Sequence, residues 1–225
     1  MDFDPIVIRD GLLTFIVLLA SLAVHEWAHA VVADMLGDDS PRADGRVTLD
    51  PRAHIDPVGT VVMPLFCIFF LGNKFAFIAW AKPVNVNPSN FRNPRRDEAL
   101  VTLAGPAANA AIALLAIVAG ALLVVAHPVL AELVQRVVMM NVGLMVFNML
   151  PIPPLDGGLI FSHLVGMSRE TFLNISRYSG IFILIAVNIE AVRYALGTLV
   201  AIASIPYWML CGWISPPALS LIFPL

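Results

Sequence analysis

Six apolar stretches, parted by short polar segments, run along this chain of 225 residues. They cover about Gly11–Met35, Val58–Ala81, Ala99–Ala126, Val129–Leu150, Tyr178–Leu196 and Leu199–Phe223. A helix needs about 20 apolar residues to cross the hydrocarbon core of a bilayer, and four or five of these stretches reach that length comfortably. The second is broken by Gly72-Asn73-Lys74, so it reads as one span, a helical hairpin or strand-like chain packed against protein. The pattern predicts an all-α membrane protein, a polytopic bundle of about six transmembrane segments with a short re-entrant or β-like membrane-associated region.

Charge orients the bundle. Arg42, Arg46, Arg52, Lys82, Arg92, Arg95 and Arg96 flank the second stretch on both sides. Basic residues favour cytoplasmic loops, so the 58–81 region crosses twice or not at all, and a re-entrant hairpin buried in protein fits that parity. The first helix then runs from outside to inside, and the fourth stretch returns the chain to the cytoplasmic side near Asp156. Glu190 and Arg193 fall three residues apart in the fifth stretch, where they can pair on one helix face.

Composition strengthens the membrane reading. The chain is 59% hydrophobic and 13% charged, against roughly 25% charged residues in ordinary soluble domains. Lipid must cover that apolar excess. A net charge of −3 offers no electrostatic footprint for nucleic acid. Cys67 and Cys211 lie in apolar runs and read as small apolar residues rather than a disulfide pair. The N-terminus, MDFDPIVIRD, lacks the positive region of a secretory signal. We therefore expect the first stretch to be retained as a span, within a single membrane domain over 1–225: a catalytic core at about 7–160, then C-terminal helices at about 161–225.

The first stretch also carries chemistry. His25-Glu26-Trp27-Ala28-His29 is an HExxH sequence. Residues four apart share a helix face, so both imidazoles can reach one cation, and Glu26 can take a proton from a metal-bound water. Asp34 marks the polar end of this helix, which puts His25 about 13 Å inside it. Two histidines and a glutamate at that depth are costly in lipid unless they serve a site.

A hydrolytic zinc site generally uses three protein ligands and leaves one position for water. His54, His127, His163 and the carboxylates are candidates for the third, and Asp156 in NMLPIPPLDGG is preferred. Its prolines stop the preceding helix, and Gly157-Gly158 let the backbone turn so that the carboxylate points back into the bundle. His127 and His163 read as interfacial and idle, and His54 as a loop residue as readily as a catalytic one.

HEWAH followed about 130 residues later by NMLPIPPLDGG resembles the site-2 protease family of intramembrane zinc metalloproteases, in its compact prokaryotic branch. RVTLDPRAHIDPVGT, WAKPVNVNP and AGPAAN extend the resemblance over roughly residues 20–160; the last 60 residues carry no matching motif. The resemblance implies one Zn2+ held by His25, His29 and Asp156, with Glu26 as general base. It implies that Asn148 hydrogen-bonds substrate backbone or the developing oxyanion, and that Gly105-Pro106 with Asn109 serve close helix packing. It further implies a transmembrane protein substrate cut within or near its span, a multi-pass cell-membrane location with the active site toward the cytoplasm, and regulation by the membrane domain or a membrane partner. The alternation in KPVNVNP suggests that this segment pairs with unwound substrate by strand addition. Two rival readings remain at this point: a metal-binding membrane protein with the same ligands, and a catalytically idle scaffold that binds transmembrane helices.

Overall fold

The computed structural model describes residues 5–70, 79–186 and 189–224. Its long helices are α1 (Pro5–Met35), α4 (Pro94–Leu123), α5 (Ala131–Asn148), α7 (Arg169–Ala186) and α8 (Glu190–Ile214). Shorter ones are α2 (Ser40–Ala43), α3 (Met63–Phe70), α6 (Asp156–Leu164) and α9 (Pro216–Ile222). There is no strand among the described residues.

Among the described residues, four helical stretches are long and apolar enough to cross a membrane, at Pro5–Met35, Pro94–Leu123, Pro128–Asn148 and Glu190–Ile214. That is fewer than the six expected. The fifth apolar stretch is divided between α7, which opens on Arg169-Glu170, and α8, which begins at Glu190. The region expected to be re-entrant or β-like contains a shorter apolar helix over Pro57–Ile68 and then irregular chain from Ala79, without strand; its middle, residues 71–78, lies outside the described residues.

Helix α4 is the centre of the bundle, packed against α1, α5 and α8. One end of the α1–α5 pair is fastened by Arg136, whose guanidinium donates to the Asp10 carbonyl (2.7 Å) and also meets Thr14 and Glu132. The core divides into two chemistries. Ala113 and Ile117 of α4, Val138 and Val142 of α5, Val200 and Cys211 of α8 and Ile222 of α9 form a wholly apolar cluster. Leu18 and Leu22 of α1 join Met140 and Leu144 of α5 in a second, and a group of buried polar residues adjoins it: Ser21, His25, His29, Asn109 and Asn141. Outward-facing Ile16, Leu115, Leu122, Phe182 and Trp213 are exposed; in a protein with four such helices this is the surface lipid covers.

At the other end of α1, Gly37 takes φ 105°, the left-handed conformation that glycine adopts without strain. The Asp38 N–H reaches back to the Ala33 carbonyl (3.0 Å) and the Gly37 N–H to Asp34 (3.2 Å), so the helix closes in a Schellman turn. That turn delivers Asp38 into a fully buried position. Its carboxylate accepts from Ser40 N–H and Oγ–H, from the Asn87 N–H (2.7 Å) and from Asn90 Nδ2 (2.7 Å). At the far end of the same segment, the buried Arg46 guanidinium donates to the carbonyls of Ala53 and Lys82, while the Lys82 N–H donates to His54 (2.9 Å). Two buried charges thus hold the ends of residues 82–87.

Burial alone would raise the Asp38 carboxyl, but its hydrogen bonds from Ser40, Asn87 and Asn90 outweigh it and hold the group below the usual carboxylate range. A depressed folded value means that the stabilisation is present above the unfolded value of about 3.9 and is lost as pH falls through the folded one. Asp38→Asn should therefore destabilise the protein by about 1–3 kcal/mol at neutral pH, with the gap closing below about pH 4. Thermal unfolding of both proteins across pH 3–7 measures it; a gap independent of pH would refute the ionised role.

Candidate metal centre

His25 and His29 occupy successive turns of one face of α1, and both are buried. Each imidazole is oriented from behind. His25 Nδ1 donates to Asn109 Oδ1 at 2.6 Å, and His29 Nδ1 donates to the Val101 carbonyl at 2.7 Å, both partners lying on α4. In a neutral ring with its proton on Nδ1, Nε2 is the unprotonated nitrogen. These two atoms stand 3.1 Å apart.

Asp156 completes the group. Its Oδ2 lies 3.3 Å from His25 Nε2 and its Oδ1 3.5 Å from His29 Nε2. Among the described residues Oδ2 is buried and accepts no hydrogen bond.

One ligand atom from each of His25, His29 and Asp156 therefore converges, all within 4.8 Å of one another. Such a cluster repels itself unless a cation sits among the three. Zn–N and Zn–O bonds of about 2.0–2.2 Å at tetrahedral angles require neighbouring donors to lie about 3.3–3.5 Å apart. The two imidazole nitrogens stand 3.1 Å apart, slightly closer than that, and lie 3.3 and 3.5 Å from the two oxygens of the Asp156 carboxylate, close to the separations a zinc ion needs. The donor set, two imidazoles and one carboxylate, suits zinc.

Gly105 of α4 confirms how tightly this space is drawn. A Cβ there would meet His29 Nε2 and would lie 2.6 Å from His25 Nε2 and Cε1. Only a residue without a side chain lets α4 pass the two metal-facing nitrogens.

The local route to Asp156 differs from the expected turn. Helix α5 ends at Asn148 and Pro151 follows, as the prolines suggest. Gly157 and Gly158, however, lie inside α6, without the positive φ of a turn. Their role is close approach: a Cβ on Gly157 would strike the Met149 and Leu150 backbone, and one on Gly158 the backbone of Ile152 and Pro153. The PIPPL loop thus folds flat against the first turn of α6 and sets the height at which Asp156 meets α1.

A cavity of about 860 Å³ opens beside the group, lined by Glu26, Trp80, Val84, Val86, Phe147 and Asn148 together with His25, His29 and Asp156. Phe172, Ser176 and Gly180 of α7 form part of its wall. Asn148 lies where a bound peptide could reach it, although its Nδ2 donates to the Leu144 carbonyl of its own helix (3.0 Å).

The other histidines stay apart from the cluster. His54 is buried in the loop region, its Nε2 donating to the Thr48 carbonyl (2.8 Å). His127 precedes the Pro128–Leu130 turn and is exposed. His163 Nε2 lies 3.0 Å from Glu98, whose carboxylate also faces Arg169, and His163 lines the cavity. Asn109 was the residue whose part the linear pattern missed. AGPAAN announced close helix packing, but nothing in it showed that the amide would stand behind His25.

The model of peptidase family M50 matches residues 123–187, which include NMLPIPPLDGG. A Bacillus subtilis protein named "Putative zinc metalloprotease YwhC" is 37% identical over 161 residues, covering 67% of this chain and 68% of the relative. Two proteins named "Putative zinc metalloprotease Rip2" are similar as well. The one from Mycobacterium tuberculosis is 32% identical over 169 residues (74% of this chain, 63% of the relative). The one from Mycolicibacterium smegmatis is 33% identical over 148 residues (65% and 55%). No solved structure gives a significant match. The chain belongs to peptidase family M50, the site-2 protease family that its motifs resemble.

Proposed function

We propose that this chain is an intramembrane zinc metalloprotease of the HExxH type, hydrolysing peptide bonds within or near the transmembrane segments of membrane-protein substrates. One observation carries the reading: ligand atoms of His25, His29 and Asp156 converge within 4.8 Å of one another, with Glu26 on the wall of the adjoining cavity. Zinc bound there would act as a Lewis acid, lowering the pKa of a water toward 7 and polarising a scissile carbonyl. Glu26 takes the proton of the attacking water and returns it to the departing amine. Asn109 and the Val101 carbonyl keep both imidazoles facing inward throughout. Asn148, released from Leu144 by rotation of its side chain, would hydrogen-bond the substrate carbonyl oxygen.

A transmembrane helix hides its carbonyls in i→i−4 hydrogen bonds, so the substrate must unwind before attack. Residues 83–86 favour the reading that unwound substrate adds alongside them. They line the cavity, and the flanking positions are held by Asp38 and Arg46. The basic residues around the second stretch support a cytoplasmic-side active site in a cell membrane, with 7–160 as the catalytic core.

The test is reconstitution of the purified protein with single-span substrates, with the cut mapped and trapped substrate crosslinked from positions 83–86. Cleavage should stop with a zinc chelator and return on adding Zn2+, and crosslinks should appear at 83–86. A cut indifferent to chelation would overturn the enzyme reading; crosslinks that avoid 83–86 would overturn strand addition alone.

A further inference from the structure

We infer that Asn141 is a positioning residue for the metal centre, acting through Asn109 to hold the metal-facing nitrogen of His25 free of its proton. The inference rests on the zinc reading above and adds to it a residue on a helix, α5, that supplies no ligand.

A chain of four hydrogen bonds, three of them buried, runs from α5 through α4 to His25. Asn141 Nδ2 donates to the Val137 carbonyl (2.9 Å) and to Ser21 Oγ (3.0 Å); Asn109 Nδ2 donates to Asn141 Oδ1 (2.9 Å); His25 Nδ1 meets Asn109 Oδ1 (2.6 Å). Asn109 and Asn141 are both fully buried, so no water substitutes for a missing partner.

The direction of this chain has a single origin. An amide can be turned end for end, and which end faces a neighbour follows from what the neighbour can do. The Val137 carbonyl can only accept, so the atom of Asn141 facing it must be the nitrogen. That turns Asn141 Oδ1 toward Asn109, where an acceptor demands a donor, so Asn109 presents its own nitrogen. Asn109 Oδ1 is then left facing His25, whose Nδ1 must carry the ring proton. In the neutral ring Nε2 is then the unprotonated nitrogen, facing His29 and Asp156, where it would bind a cation. A main-chain carbonyl of α5 thus sets the tautomer of a ligand on α1, through one amide on each of two helices. His29 needs no such relay, because its Nδ1 faces a carbonyl directly.

Without Asn141, Asn109 is free to turn over and offer its nitrogen to His25. The imidazole then shifts its proton to Nε2, and a bound cation must displace it. Loss of an outer-shell partner of this kind typically weakens metal binding by about 10–100-fold.

The deciding experiment is a double-mutant cycle on zinc affinity, measured by competition with a chromophoric chelator on the purified full chain. The unfolding temperature of the metal-free protein is recorded alongside to confirm folding. Asn109→Leu and Asn141→Leu are each expected to weaken binding by about 10–100-fold. The double variant should be no weaker than Asn109→Leu alone, because Asn141 acts only through Asn109. A purely structural role would instead multiply the two losses. Should Asn141→Leu fail to fold, Asn141→Ser, too short to reach Asn109, takes its place in the cycle. Wild-type affinity in either Asn141 variant, or a multiplicative double variant, overturns the relay. A wild-type chain that takes up no zinc instead strikes the metal centre itself.

Discussion

Glu26→Gln should keep its zinc and lose its proteolysis. Glu26 holds none of the positions from which donor atoms converge; those belong to His25, His29 and Asp156. The amide is nearly the size of the carboxylate it replaces, so neither the α1 face nor the cavity wall needs to change. What disappears is the base. An amide cannot take a proton from water at neutral pH, and general-base catalysis is worth about 10²–10⁴-fold. Metal content equal to wild type, with cleavage of a reconstituted single-span substrate reduced by that factor, is the expected pair of results. Substantial activity in the variant would reject the protease mechanism. This also separates the enzyme from a membrane protein that merely stores or carries metal, for which Glu26 has no task.

The second large effect is expected at a residue with no side chain. Gly105→Ala adds one methyl group, and that carbon would lie against His29 Nε2 and 2.6 Å from His25 Nε2. Contacts this close force something to move. The imidazoles are poorly placed to yield, since Asn109 and the Val101 carbonyl hold their far sides; α4 itself carries both of those groups and packs along α1. Either the rings swing off their hydrogen bonds or the two helices part, and in both cases the ligand atoms separate. Zinc affinity should fall by at least about 100-fold, the upper end of what losing an outer-shell partner costs. Cleavage should fall with it. Gly197→Ala in α8, where an added methyl meets nothing within 4 Å, is the matched control. It should leave zinc binding unchanged and stabilise the helix by about 0.5–1 kcal/mol. Equal zinc affinity in the Gly105 and Gly197 variants would mean that α4 does not bound the centre.

Much of this was legible along the chain because it depends on local periodicity. HEWAH places two imidazoles on one helix face whatever surrounds it, since four residues make just over a turn. The proline after Asn148 ends a helix wherever it stands, and apolar runs of about 20 residues mark spans by length alone. Those facts bring out His25, Glu26 and His29; Asp156 was preferred among several candidates by its setting and singled out by the family resemblance. The number of spans was less legible. The fifth apolar stretch is long enough to suggest a helix, yet its residues are shared between α7 and α8, and hydropathy does not show where a helix stops when apolar residues lie on both sides.

What only the tertiary structure decided is what stands behind each ligand and how closely the helices pass. Asn109, Asn141 and Val101 lie 84, 116 and 72 residues from the histidines they serve, directly or through one another, with Asn141 counted from His25. A hydrogen bond across helices leaves no period in the sequence. Gly105 was expected at a close helix packing and Gly157-Gly158 at a turn; only the packed chain shows which atoms occupy the space each Cβ would need. Periodicity specifies which face a side chain takes on its own helix, whereas its proton, its tautomer and its distance from a partner depend on contacts between helices, which exist only once the bundle has formed.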